Sequence, residues 1–115
     1  MKKIYYLQTC DTCRRILKQF NFSEFEKQEI KTEAITSDQL DEMKELAGSF
    51  ESLFSRRAKK YKELGLKDKS LTEKEFQEYI LSDYTFLKRP VILDGEKIFI
   101  GSDQKNLEAL NMHFK

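Results

Sequence analysis

A pair of cysteines, Cys10 and Cys13, stands where a strand pattern gives way to a helix pattern. Residues 3–7 are rich in β-branched and aromatic side chains, and residues 14–20 carry apolar side chains at helical spacing. A sulfur at the start of a helix faces unpaired backbone amides at the positive end of the helix dipole, which favours thiolate over thiol. The chain therefore opens as a strand, a loop and a helix, and we expect an α/β fold.

The cysteine pair has three interpretations. Free cysteines often serve as small buried apolar residues. A structural zinc site needs four ligands, and one pair with the distant His113 leaves that set incomplete, so we predict no metal. Because Cys13 follows Cys10 by one helical turn, the two sulfurs are within the span of a disulfide. We favour a reactive pair in which Cys10 is the nucleophile and Cys13 can resolve a mixed disulfide.

Two helix starts in the middle of the chain carry capping boxes. Thr36 is followed three residues later by Gln39, and Thr72 by Glu75, so each hydroxyl and its partner can satisfy two unpaired amides. The first of these helices should end near Gly48, since glycine favours the left-handed conformation of a helix end. The pattern predicts a helical insert at about residues 36–82.

A hairpin and a final helix are predicted near the C-terminus. Apolar residues 91–93 and 97–100 flank Asp94-Gly95, a dipeptide that favours tight antiparallel turns. The final helix should cover residues 103–111, with Ser102 as its cap.

A second strand is expected around residues 25–30, although charged side chains weaken its alternation. We predict one domain, residues 1–115, in the order βαβ, helical insert and ββα, with a mixed sheet flanked by helices.

Charge and hydropathy exclude several classes of function. The 115 residues carry 21 basic and 20 acidic side chains, and a net charge of +1 attracts neither nucleic acid nor membranes. The apolar stretch after Lys2 and Lys3 is too short for a secretory signal, and no segment approaches a membrane span. We therefore expect a cytoplasmic protein in a reducing compartment.

Positive side chains occur at two places that matter for an anionic substrate. The densest run comprises Arg56, Arg57, Lys59 and Lys60. Such a run is either a solvated surface or an oxyanion site, because the planar fork of arginine binds oxyanions with more than one bond. Arg89 precedes the only proline of the chain, and a proline near a redox centre can be cis.

Three segments carry a family resemblance over almost the whole chain. They are Cys10-Asp11-Thr12-Cys13-Arg14, then Leu53-Phe54-Ser55-Arg56-Arg57 followed by residues 61–66, and Lys88-Arg89-Pro90-Val91 with Gly101 closing the hairpin. The sequence resembles the arsenate reductase (ArsC) family of the thioredoxin-like class, which also includes Spx-type transcription regulators. The resemblance implies a thioredoxin-like fold.

In arsenate reductases of this family the first cysteine attacks arsenate, glutathione takes the adduct and glutaredoxin releases arsenite. Three arginines hold the oxyanion. By position, the resemblance makes Cys10 the nucleophile and Arg57 and Arg89 two of the clamps, while Ser102 follows Gly101 where the third arginine is expected. The residues that it places beside the substrate are Thr12, Arg14 and Pro90, the last as a cis-proline.

The resemblance leaves more than one function open. The favoured one is an arsenate reductase-like thiol oxidoreductase with no bound cofactor, reduced by glutathione with glutaredoxin or by thioredoxin. Because a cysteine at position 13 resembles the switch pair of Spx-type regulators, the alternative is a redox sensor that binds RNA polymerase through a Cys10–Cys13 disulfide. A family member without turnover is the third. None of them implies direct binding to nucleic acid or a membrane.

Overall fold

The computed structural model describes residues 1–114 of the chain. The strands are β1 (Lys2–Tyr6), β2 (Glu26–Glu29), β3 (Val91–Asp94) and β4 (Lys97–Ile100). The helices are α1 (Asp11–Gln19), α2 (Ser37–Ala47), α3 (Lys59–Glu63), α4 (Glu73–Ser82) and α5 (Gln104–His113). These elements belong to two units, which we call the sheet unit (residues 1–34 and from 89 onward) and the helical unit (residues 35–88).

The sheet unit contains a mixed sheet with the strand order β2-β1-β3-β4. β1 and β2 are parallel, as expected for strands joined through α1, and the other two pairings are antiparallel. The predicted fold class is therefore confirmed: the chain is α/β, with βαβ, a helical segment and ββα in succession.

The core of the sheet unit joins its strands to α1 and α5. Ile4 and Ile92, which face each other in β1 and β3, pack with Ile16 of α1 and Leu110 of α5. Aromatic rings close one side of this core, where Phe22 makes edge contacts with Phe25 and Phe114. Burial of each large apolar side chain contributes about 1.5–3 kcal/mol. Because β1 and α1 are both anchored in this way, the loop between them has a fixed path.

Both predicted capping boxes are present in the helical unit. The amide of Gln39 donates to the hydroxyl of Thr36 over 3.1 Å, and the amide of Glu75 donates to that of Thr72 over 3.2 Å. In each box the side chain three residues on accepts a bond from the cap's own amide. Gly48 ends α2 in the left-handed conformation, as predicted, with φ of 93°.

The helical unit has an aromatic core of its own. The ring of Phe54 stacks on Phe86 with 5.2 Å between centroids, and Phe76 lies 4.9 Å away. A β-bridge between Phe54 and Leu87 joins the middle of this unit to its last residues. The packing fixes the chain just before the turn that carries the predicted arginine clamp.

Two local predictions differ from the structure near the C-terminus. The hairpin turn is Gly95-Glu96 rather than Asp94-Gly95, because Asp94 pairs with Lys97 and extends β3 by one residue. The cap of α5 is Asp103 rather than Ser102, since the Asp103 carboxylate accepts a bond of 2.8 Å from the amide of Asn106. A carboxylate at this position also gains from the helix dipole, which a serine hydroxyl does not.

Within residues 1–114, every helix is too short or too polar to span a bilayer. The assignment of residues 1–115 to one domain, with an insert at about 36–82, stays a prediction.

Candidate active site

Cys10 occupies the N-cap position of α1, directly after the loop from β1. Its amide donates to the carbonyl of Leu7 over 3.1 Å, and its carbonyl accepts from the amide of Arg14 over 3.1 Å. Its side chain is partly exposed. The backbone thus holds Cys10 from both sides while the residue stays partly exposed.

The surroundings of Cys10 favour its thiolate. Partial burial alone would raise the pKa of this thiol. Hydrogen bonds from the amide and the thiol of Cys13, the positive charge of Arg89 and a hydrogen bond from the amide of Thr12 outweigh that effect and hold the pKa below its ordinary value. The thiolate is the nucleophilic form of cysteine, so Cys10 is the activated member of the pair.

Cys13 has the opposite character. It is fully buried in the first turn of α1, and burial is the main reason why its pKa rises to about 12. The negative charge of Cys10 and the hydrogen bond that Cys13 makes to it raise this pKa further, against the opposing effects of the Leu7 amide and the Arg89 charge. Cys13 is therefore a protonated donor that supports the Cys10 thiolate.

The charge of Arg89 acts on both sulfurs, and Pro90 follows it in the chain. The Arg89–Pro90 peptide bond is cis, as predicted, and Pro90 is buried. The carbonyl of Pro90 accepts a bond of 2.8 Å from the amide of Gly101. Because the charge of Arg89 lowers the pKa of both Cys10 and Cys13, the guanidinium acts on the reactive centre itself.

The predicted substrate-binding residues of α1 differ in their surroundings. Thr12 presents its amide to the Cys10 sulfur. The guanidinium of Arg14 instead forms an ion pair with Asp11 on the helix surface, and its side chain is 48% exposed. Arg14 thus partly offsets the negative charge of Asp11. The role of Arg14 in substrate binding stays a prediction.

The basic run of the helical unit is partly neutralised by acids. Arg56 forms an ion pair with Glu51 over 2.9 Å, and Lys60 forms one with Asp83 over 2.8 Å. Arg57 lies exposed in the turn before α3, where its amide donates to the hydroxyl of Ser55 over 3.3 Å. The structure thus supports a solvated surface for Arg56 and Lys60 and presents Arg57 outward. The clamp role of Arg57 stays a prediction.

One contributor to the site was not predicted from the sequence. The amide of Leu7 hydrogen-bonds the sulfur of Cys13, and the carbonyl of Leu7 holds Cys10. Both contacts are made by backbone atoms, which every residue carries, so a sequence pattern cannot reveal them. Among residues 1–114, no group of three or more His, Cys, Asp or Glu side chains is placed to hold a metal ion.

Comparison with known proteins places this arrangement in a family. The protein YusI of Bacillus subtilis is 30% identical over 109 residues, which cover 90% of this chain and 92% of YusI. The global transcriptional regulator Spx of Lactiplantibacillus plantarum is 23% identical over 90% of this chain and 81% of its own. A solved structure described as a possible arsenate reductase from Streptococcus mutans is 25% identical, covers 96% of this chain and 98% of its own, and has a TM-score of 0.73.

These similarities extend over nearly the whole chain and confirm the thioredoxin-like fold of the family. The model of the ArsC family matches residues 5–110, a range that includes both cysteines and Arg89. The chain therefore belongs to the ArsC family.

Proposed function

We propose that this protein is an arsenate reductase-like thiol oxidoreductase in which Cys10 attacks an oxyanion or a disulfide. One observation carries the proposal: the pKa values of two neighbouring thiols shift in opposite directions, down for the partly exposed Cys10 and up for the buried Cys13, and the charge of Arg89 acts on both. An arginine and backbone amides around a thiolate stabilise negative charge that develops during such an attack. Membership in the ArsC family supports the same chemistry.

With arsenate the reaction takes two steps. The Cys10 thiolate bonds to arsenic, and one arsenate oxygen leaves as water after it has taken up protons. A second thiol then attacks the Cys10 sulfur, so that a sulfur–sulfur bond forms and the sulfur–arsenic bond breaks. The electron pair of that bond stays on arsenic, which leaves as arsenite. Arsenic is reduced by two electrons while two thiols become one disulfide.

Cys13 is suited to act as the second thiol only after the first step. In the resting state burial, the charge of Cys10 and the hydrogen bond to it all raise the pKa of Cys13. Once the Cys10 sulfur is bonded to arsenic it carries no full charge and is a poorer acceptor, so two of these three effects fall away. Cys13 then becomes more acidic at the moment when its thiolate is needed. Arg57 and Arg89 are the proposed clamps for the anion.

The reductant is proposed as glutathione with glutaredoxin, or as thioredoxin, in a cytoplasmic setting and without a bound cofactor. Glutathione can also take the place of Cys13 as the second thiol. Ser102 stands where the third arginine of the family is expected. We therefore expect weaker binding of arsenate than three arginines would give.

The decisive assay measures arsenate-dependent oxidation of NADPH, coupled first to glutathione with glutaredoxin and then to thioredoxin. We expect turnover with one of the two systems and none with Cys10→Ser. Arg57→Ala should raise the KM for arsenate, while Arg56→Ala, its neighbour paired with Glu51, should leave it unchanged. Lack of turnover with both systems would rule out arsenate reduction.

A redox-sensing regulator of the Spx type is the second candidate. It is favoured by the direct contact between the Cys10 and Cys13 sulfurs, which suits an internal disulfide, and by similarity to a protein named as a transcriptional regulator. Its partner would be RNA polymerase. The test is a pull-down with purified polymerase, using the reduced protein, the oxidised protein and Cys10→Ser. Equal binding in all three forms, or none, would eliminate a Cys10–Cys13 switch.

A further inference from the structure

Asn106 is a buried polar residue in the first turn of α5, which none of the proposed steps uses. It is 9% exposed, and its side-chain amide donates a hydrogen bond of 2.7 Å to the carbonyl of Gly101. Buried polar groups are nearly always hydrogen-bonded, and a fully satisfied buried network makes its surroundings more rigid. The bond from Asn106 therefore fixes the Gly101 carbonyl relative to α5.

Gly101 is held at both of its backbone polar groups. Its carbonyl accepts from Asn106, and its amide donates to the carbonyl of Pro90 over 2.8 Å. It has φ of 84°, in the left-handed region that glycine adopts at little cost. The turn after β4 is thus fixed from one side by α5 and itself fixes the chain at Pro90.

The backbone position of Pro90 in turn determines the backbone position of its neighbour Arg89. Val91 pairs with Ile100 as the first residue pair of the β3–β4 ladder, and the bond from Gly101 to Pro90 continues this ladder one residue further. A shift of the Gly101 turn would therefore move the backbone from which the Arg89 side chain extends.

We propose that Asn106 is a positioning residue for the reactive centre, acting through Gly101 and Pro90 to hold the Arg89 guanidinium beside Cys10. The inference rests on the proposed function, since it assigns Asn106 a task only if Arg89 serves Cys10. Asn106 does not touch the reacting atoms. Its effect is on how well the Cys10 thiolate is stabilised, and a loss of that effect is measurable without any substrate.

The test compares Asn106→Leu and Asn106→Ser with the wild-type protein. Leucine removes the donor and fills the space, and serine leaves room for a water molecule at the Gly101 carbonyl. Alkylation of Cys10 by iodoacetamide is followed by mass spectrometry from pH 5 to 10. Loss of the Asn106 bond should raise the pKa of Cys10 and so lower its thiolate fraction at pH 7, by up to tenfold for each pKa unit. We therefore expect the rate of Cys10 alkylation at pH 7 to fall roughly threefold to tenfold in Asn106→Leu and less in Asn106→Ser.

Two control variants separate positioning from general loss of stability. Leu110→Ala lies in the core one turn further along α5 and should destabilise the protein without moving the Cys10 pH profile. Asn111→Leu changes an exposed asparagine of the same helix and should alter neither property. The reaction with arsenate is measured in parallel, where the Asn106 variants should follow the change in Cys10 reactivity.

The outcomes distinguish this inference from the function on which it rests. A wild-type Cys10 with an ordinary pH profile would overturn the activated nucleophile, and with it the proposed function. A lowered Cys10 pKa that stays the same in both Asn106 variants would overturn the role of Asn106 alone. An equal rise of the Cys10 pKa in the Asn106 variants and in Leu110→Ala would also overturn the role of Asn106, because loss of stability alone would then account for the rise. If Asn106→Leu does not fold, the profile of Asn106→Ser decides.

Discussion

Three helices of this chain start in the same geometry but use it for different purposes. α2 and α4 start at Thr36 and Thr72, whose hydroxyls each take part in a complete capping box. α1 starts at Cys10, where the amides of Thr12 and Cys13 point at a sulfur instead of a hydroxyl. The amides at the start of α1 are satisfied when the sulfur becomes a thiolate, as the lowered pKa of Cys10 reflects. A helix start can thus stabilise either the fold or a thiolate anion.

The largest effect is expected from Cys10→Ser, which turns the reactive helix start into a capping one. Turnover should be lost by a factor of about a thousand or more, because a serine hydroxyl is not ionised at neutral pH. The free energy of unfolding should stay the same or rise by up to about 1 kcal/mol, since serine is a good cap. Arsenate turnover and urea unfolding measure the two effects. A clear loss of stability would show that the sulfur already caps α1 well.

The next effect concerns Asp83, the partner of Lys60 in the helical unit. Burial raises the pKa of its carboxyl, but bonds from Lys60 and Thr85 and the charge of Lys60 outweigh this and lower it to about 2 from a reference value of 3.8. A lowered pKa stabilises the fold fully above pH 3.8, and that contribution is lost as the pH falls through about 2.

We expect Asp83→Asn to cost about 2 kcal/mol at pH 7, because each pKa unit corresponds to about 1.4 kcal/mol. In urea unfolding from pH 7 down to pH 2, the difference between Asp83→Asn and wild type should shrink below pH 4. Asp68→Asn, at an exposed aspartate, should cost little at any pH. A difference that does not depend on pH would assign the cost to packing instead of charge.

Cys13→Ala tests how much the second cysteine supports the first. Burial still opposes the Cys10 thiolate in this variant, while the hydrogen bond from the Cys13 thiol is lost, so the pKa of Cys10 should rise. The rate of Cys10 alkylation at pH 7 should fall by about threefold to tenfold. Cys13→Ser keeps a hydrogen-bond donor, so the rate of Cys10 alkylation should fall less in this variant. Equal rates in all three proteins would leave the backbone amides and Arg89 as the support of the thiolate.

The smallest effects are expected at the two capping boxes. Thr36→Ala and Thr72→Ala should each lower the free energy of unfolding by about 1 kcal/mol, because each removes a bond to a helix amide. Neither should change the pH profile of Cys10 alkylation. Thermal unfolding and alkylation measure the two properties side by side. A change in Cys10 reactivity would show that helix caps and the reactive centre are coupled.

Whether a feature of this chain can be predicted from the sequence depends on how close together in the sequence its residues lie. The capping boxes were predicted correctly because the residues that make them lie three positions apart. The sequence favours Ser102 over Asp103 as the cap of α5 because serine and aspartate are both good caps, and the turn after Gly101 decides at which of them the helix starts. The effect of Arg89 on Cys10 depends on a sheet that joins distant parts of the chain. For such contacts the residue types alone do not predict which side chains meet.

The second strand shows the same limit and has a consequence of its own. β2 lies at one edge of the sheet, with Glu26 and Lys27 exposed and Glu29 partly so. These charges blurred the strand pattern in the sequence. An open strand edge can template the addition of a strand from another molecule, and charged side chains along it oppose such pairing. The residues that made β2 hard to recognise thus protect the sheet from aggregation.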